Sequence, residues 1–130
     1  MSVFRPAEIE YLASQRLGRL ATVGPDGLPH VVPVSFWYNP DADSIDIGGH
    51  HFAARKKFRD VQRTGVAALV VDDVLPPWQP RAVEVRGHAA TLDTGGKAIN
   101  GDFDDPIIRI TPRRIVSWGL EEQRQARSVQ

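Results

Sequence analysis

The sequence predicts a mainly β fold with short helices, in which six strands close into a small antiparallel barrel. Three observations carry this. Six apolar or alternating stretches are separated by clusters of Gly, Pro, Asn and Asp, most of the separations are tight turns, and one amphipathic helix interrupts the series. At 130 residues the chain is one domain, or one subunit of an oligomer, and is long enough to bury a core.

The first element is a helix over "RPAEIEYLASQ", with Pro6 near its first turn and Ile9 and Leu12 three apart on one face. "GRLATVG" is a strand, ended by the turn residues of "GPDG", and "LPHVVPVSFWYN" is the second, so Gly18 to Asn39 is a hairpin. Pro33 lies inside that second strand. Proline has no N–H to donate, so it marks an edge or a place where the ladder stops. After the turn "NPDAD", "SIDIGG" is the third strand, with Ile45 and Ile47 on one face. Residues 52 to 62 read as a helix with Ala54, Phe58 and Val61 spaced i, i+4, i+7. "GVAALVVDD" is an apolar strand, expected to be buried on both faces. "VLPPWQP" is a stiff, proline-rich link, and "RAVEVRGHAATL" alternates, Val83 and Val85 against Glu84 and Arg86. "DTGGKAINGDFDD" is a polar loop or lid, "PIIRITPRRIVSWG" the last strand, and residues 120 to 130 a polar tail. Residues 1 to 119 form the single domain. Two strands buried on both faces are more than one small barrel covers by itself, so a second subunit is expected on its wall.

Composition narrows the function. Hydrophobic content of 42% and charged content of 25% are those of an ordinary globular protein. The absence of cysteine excludes disulfides, thiolate metal sites and cysteine nucleophiles, and suits a reducing cytoplasm. The first residues lack the pattern of a signal peptide, and no stretch has the apolar length to span a bilayer. Net charge is zero, which gives no field for nucleic acid. The four histidines lack metal-ligand spacing, and no nucleophile elbow or catalytic triad signature is present. No catalytic side chain is therefore assigned. A redox enzyme whose cofactor carries the chemistry needs none.

Against that neutral background, "IDIGGHHFAARKKFRDVQRTG" concentrates Arg55, Lys56, Lys57, Arg59 and Arg63 just past the end of a strand. A solvated helix face is the ordinary fate of such a run. The alternative is an anion site: Gly48 and Gly49 permit close backbone approach, and Arg55, Lys56 and Lys57 supply charge-assisted hydrogen bonds, with His50 or His51 in reach. Arg59 and Arg63 keep the solvated reading, with Asp60 placed to pair with one of them. Trp78, held between prolines, and Trp118, at the end of the last strand, suit either packing or an interface with cofactor or partner.

The order of "RLGRLATVGPDGLPHVVPVSFWYN", "IDIGG", "ARKKFRDV", "GVAALVVDD" and "VEVRGHA" resembles the pyridoxamine 5'-phosphate oxidase-like family, and within it the F420-dependent branch common in actinobacteria. The resemblance spans roughly residues 4 to 119. It implies a six-stranded antiparallel split β-barrel of the FMN-binding type and a homodimer with the cofactor at the subunit interface. It implies coenzyme F420 as cofactor, with FMN as the alternative, and hydride transfer to a small unsaturated or conjugated substrate. A non-catalytic flavin, F420 or haem carrier is the other class left open. The resemblance makes Arg55 and Lys56 similar to the phosphate-gripping pair of the oxidases, and Lys57 similar to the lysine of the F420 branch. It lays Val32, Pro33, Val34 and Ser35 along the cofactor ring, with Ser35 a possible donor, and brings Trp118 from a second subunit. The full oxidases carry a C-terminal extension with substrate-binding residues that has no counterpart here, so pyridoxamine phosphate is not the expected substrate.

Overall fold

A computed structural model describes residues 1–120 and 124–129. Strands β1 (Leu17–Val23), β2 (Pro29–Asn39), β3 (Ser44–Gly48), β4 (Val66–Leu75), β5 (Gln79–Leu92) and β6 (Ile107–Trp118) form one antiparallel sheet in the order β3-β2-β1-β4-β5-β6. Pairing of β3 with β6, Ile45 opposite Ile110 and Ile47 opposite Ile108, closes it into the six-stranded split barrel. A short seventh strand, β7 (Gln125–Ser128), adds to β6 from within the polar tail, of which residues 121–123 and 130 lie outside the described residues. No described helix is long and apolar enough to cross a membrane.

The barrel interior is filled by inward residues of every strand, among them Leu20, Ile45, Ile47, Leu69, Val83, Val85, Ile108 and Ile115, all fully or almost fully buried. Helix α1 (Pro6–Ser14) buries Leu12 and Tyr11 against it. Its Glu8 is buried as well. That carboxylate accepts hydrogen bonds from Arg5 N, Ser117 Oγ at 2.6 Å and the Arg127 guanidinium at 2.6 and 3.0 Å, so α1, β6 and β7 meet at one charge.

Three expectations are corrected here. The strand buried on both faces is β3, not β4. Its polar residues Ser44 and Asp46 are buried too, and Asp46 is satisfied by Arg109, Asn39 and Ser44. In β4 only Ala67, Leu69 and Val71 are buried; Val66, Ala68 and Val70 face outward, Val66 exposed and the other two half-buried. The single helix from 52 to 62 is two pieces, a 3-10 turn (Phe52–Ala54) and α2 (Lys56–Thr64), parted by Arg55 in extended conformation. A continuous helix places residues six apart roughly 120° around the axis from one another. The break lets Phe52 and Phe58 both enter the core and meet edge to face at 5.7 Å, and it leaves Ala54 exposed. The proline-rich link is the tight tip of the β4–β5 hairpin, with Leu75 opposite Gln79.

The loop 93–105 is packed rather than loose. It contains a short helix, α3 (Gly96–Ile99), and buries Phe103.

Candidate functional site

The β1–β2 hairpin pairs symmetrically about its "GPDG" turn, which sets Leu17 opposite Ser35 and Arg19 opposite Pro33. The β3 ladder begins at Ser35 opposite Gly48 and runs away from Pro33, so Pro33 sits just beyond the point where β2 loses its second neighbour. That gap opens a cavity of about 380 Å³. Its apolar side is Leu17, Pro33, Val34, Phe52 and Phe103; its polar side is Ser35, Gly48, Gly49, His50, Arg55 and Lys57. The volume falls within the range of about 300–1,000 Å³ typical of small-molecule sites.

Local backbone explains how the cations arrive there. β3 ends in two glycines, then His51 takes a left-handed conformation, φ 51°, which turns the chain into the 3-10 segment. Arg55 follows in extended conformation, its Nε donating to the His50 carbonyl at 3.3 Å. Lys57 is the second residue of α2, with its ammonium 5.4 Å from the centre of the Phe52 ring. Burial, and after it the Arg55 charge, pulls the Lys57 ammonium below the usual lysine value. Two cations held close without a carboxylate between them favour an anion.

Lys56 does not join them. Its ammonium bonds both oxygens of Asp60 at 3.3 Å and faces a separate cavity beside His30 and Asp26. Asp60 is buried. Burial alone raises its carboxyl, but hydrogen bonds from Thr22, Arg63 and Lys56 outweigh this and hold it below the ordinary range. Arg63 is spent on Asp60 and the Val23 carbonyl, and Arg59 on the Ala54 carbonyl at 2.7 Å. Of the five cations, the fold delivers Arg55 and Lys57 to the cavity and commits the other three to the helix and its neighbours.

The remaining expected residues divide as follows. Pro33, Val34, Ser35, Gly48, Gly49 and His50 line the cavity. Val32 does not; it stands opposite Leu20 and packs on the core. Trp78 stands 75% exposed at the tip of the β4–β5 hairpin, and Trp118 ends β6 opposite Ala82, so neither reaches the cavity within one chain. Three lining residues were not anticipated: Leu17, Phe52 and Phe103. The hairpin symmetry makes Leu17 legible from Ser35. Phe103 is the single aromatic of the loop 93–105. Among the described residues no three His, Asp or Glu side chains converge as metal ligands.

A roomier groove of about 550 Å³ lies on the outer barrel wall, lined by Ala21, Val23, Val66, Ala68, Arg86, His88 and Arg113. Its cations are engaged, Arg86 with Glu84 and Arg113 with His88 Nε2 at 2.9 Å. It is a continuation of the outward apolar residues of β1 and β4, not a pocket with convergent polar groups. The smaller cavity is the better small-molecule site, since it joins an apolar wall to cations and accessible backbone.

The family model described as pyridoxamine 5'-phosphate oxidase matches residues 5–119. A 5a,11a-dehydrotetracycline/5a,11a-dehydrooxytetracycline reductase of Streptomyces rimosus is 47% identical over 120 residues, covering 91% of this chain and 84% of that protein. Two solved structures share the fold. A heme binding protein from Mycobacterium smegmatis superposes with a TM-score of 0.72 at 17% identity, covering 97% of this chain; the chain spans 60% of that protein's length. An FAD binding protein from the same organism gives 0.67 at 20% identity, covering 98% of this chain and 100% of that one.

Proposed function

The chain belongs to the pyridoxamine 5'-phosphate oxidase family, and from that membership we propose that it is an oxidoreductase that uses the deazaflavin coenzyme F420 to reduce a small conjugated substrate. The observation that carries this reading is the cavity between β2 and α2, where a flat apolar wall ends at Arg55 and Lys57. The residues present fit a ring that bears a phosphate. Pro33, Val34 and Phe52 would exclude water from the ring. Arg55 and Lys57 would hold the phosphate, Arg55 as a fork and Lys57 as a point charge. Gly48 and Gly49 would meet it along the cavity wall. The Ser35 hydroxyl would donate to a polar edge of the ring. When bound and reduced, the cofactor supplies a hydride to an electron-poor carbon of the substrate.

The relative from Streptomyces rimosus suggests the substrate class, a conjugated polycyclic ketone, and its own two substrates are the first to try. The apolar outer faces of β1, β2 and β4, with Leu17, Val31 and Val66 all substantially exposed, support a homodimer that covers them. In that dimer Trp78 and Trp118 would reach a cofactor only from the partner subunit.

Calorimetric titration with F420 and with FMN at two ionic strengths tests the cofactor. We expect F420 to bind more tightly, through the surplus positive charge around α2 acting on its glutamate tail, and the margin to shrink as salt rises. Equal or tighter FMN binding overturns the F420 assignment in favour of an FMN-dependent oxidoreductase. Oxidation of reduced F420 in the presence of 5a,11a-dehydrotetracycline then tests the reaction; tight cofactor binding without turnover of any acceptor would make the protein a carrier.

A further inference from the structure

We propose that the segment 93–105 is a positioning element for the anion grip, acting through Phe103 on His50 and Arg55. The inference rests on reading the β2–α2 cavity as the cofactor site. The segment lies between β5 and β6, far in sequence from the cations, yet it is fastened to the end of β3. The Asp104 amide donates to the Gly49 carbonyl at 3.1 Å. The Phe103 ring meets the His50 ring edge to face, with centres 5.4 Å apart and planes at 84°. The His50 carbonyl in turn accepts from Arg55 Nε. Phe103, His50 and Arg55 thus form one chain of contacts that ends in a cavity cation.

The segment is itself braced. Lys97 Nζ donates to the Phe103 carbonyl at 2.7 Å, and the Phe103 amide donates to the Asn100 carbonyl at 2.9 Å. Gly96 N bonds the Asp105 carbonyl at 2.9 Å, and a side chain at Gly96 would fall 1.7 Å from the Asp104 carbonyl oxygen. Gly48 has the matching feature on the other side. A β-carbon there would stand 3.2 Å from Ile99 and 3.3 Å from Phe103, tighter than ordinary packing. Two glycines therefore permit a close seat for Phe103. Nothing in barrel closure demands this seat, since β5 and β6 are already joined by a long ladder. A braced aromatic at the wall of a cavity, touching the turn that carries a cation, fixes where that cation points.

The test separates positioning from mere lining. Wild type is titrated with FMN and F420 and with their phosphate-free counterparts, riboflavin and the deazaflavin with its ribityl chain alone. Phe103→Ala is expected to weaken the phosphate-bearing probe about tenfold, the value of one charge-assisted hydrogen bond, and the phosphate-free probe less than about twofold. The double variant Arg55→Ala/Phe103→Ala is expected to bind within about twofold of Arg55→Ala, because coupled residues are not additive. Phe103→Tyr, which keeps the ring, is expected to restore affinity, and Lys97→Met to lose it in the same probe-selective way. Lys97→Met carries the comparison if Phe103→Ala does not fold. Equal losses for both probes, additive losses in the double variant, or unchanged affinity in folded variants would each overturn the inference while leaving the cofactor site intact. Failure of wild type to bind either phosphate-bearing probe overturns the reading of the cavity, and this inference with it.

Discussion

Lys56 and Lys57 are adjacent in sequence and opposite in consequence. Successive helical residues point about 100° apart, so one ammonium enters the cavity and the other turns back to Asp60. Lys57→Ala is expected to weaken cofactor binding about tenfold or more, given roughly 1.5–3 kcal/mol for a hydrogen bond to a charged group. Lys56→Ala is expected to change it by less than about twofold and to cost about 1 kcal/mol of stability, because its ammonium is half exposed and the buried Asp60 keeps its bonds from Thr22 and Arg63. Titration of both variants beside wild type checks this, and equal losses would return Lys56 to the site. Asp60 and Glu8 make the second prediction. Both carboxyls are buried, and both are held below their ordinary values because donated hydrogen bonds outweigh the cost of burial. The unfolded chain therefore takes up protons first as pH falls. The stability these groups contribute is complete above about pH 5 and is lost through pH 4 and below. Urea midpoints should stay level at neutral pH and drop below about pH 4.5, and Asp60→Asn should start lower and drop less steeply. A midpoint independent of acid down to about pH 3 would refute the assignment.

At the scale of elements, the barrel depends on β5 and β6, whose ladder runs from Ala82 opposite Trp118 to Leu92 opposite Ile107 with one bulge at Arg86 and Gly87. The glycine of the bulge admits no side chain. A β-carbon at Gly87 would lie 2.0 Å from the Thr111 carbonyl oxygen, a backbone atom that cannot swing aside. Gly87→Ala is expected to destabilise by roughly 1–3 kcal/mol, the usual range for overpacking. A fall in the denaturation midpoint at unchanged slope checks it, and a neutral substitution would mean that the two strands part more easily than the ladder implies. Most elements were legible from periodicity: α1, the β1–β2 hairpin and the alternating β5 stand close to where the sequence put them. The break at Arg55 was not, because the i, i+4, i+7 spacing of Ala54, Phe58 and Val61 fits a helix equally well. Only burial of Phe52 in the same core selects the broken form.

At the scale of the molecule, closure of β3 on β6 uses up the inner faces and leaves an apolar outer wall. Val31 is 64% exposed, Leu17 51% and Val66 43%. We expect light scattering at micromolar concentration to give twice the 14.4 kDa chain mass. Val31→Glu combined with Val66→Glu is expected to return a folded monomer, because a charge on an otherwise apolar interface must be desolvated without a partner. A wild-type monomer, or a double variant that stays dimeric, would place any interface elsewhere.

The sequence by itself determined the six barrel strands, the barrel class and the stretch that carries the proposed anion site, because these follow from periodicity, turn residues and local charge. Gly48, Gly49, Arg55 and Lys57 stand within ten residues of one another, and Pro33 and Ser35 are tied to them by one hairpin and one strand pairing. Tertiary structure alone decided which cations face the cavity and what closes its far side. Lys56 is withdrawn by a carboxylate that is buried only because α2 packs on β1, where Thr22 donates to it. Phe103 reaches the wall because β3 pairs with β6 and carries the preceding loop alongside Gly48. Such contacts join residues from 38 to 55 positions apart, and local pattern holds no record of them. Only the path of the closed sheet brings them together.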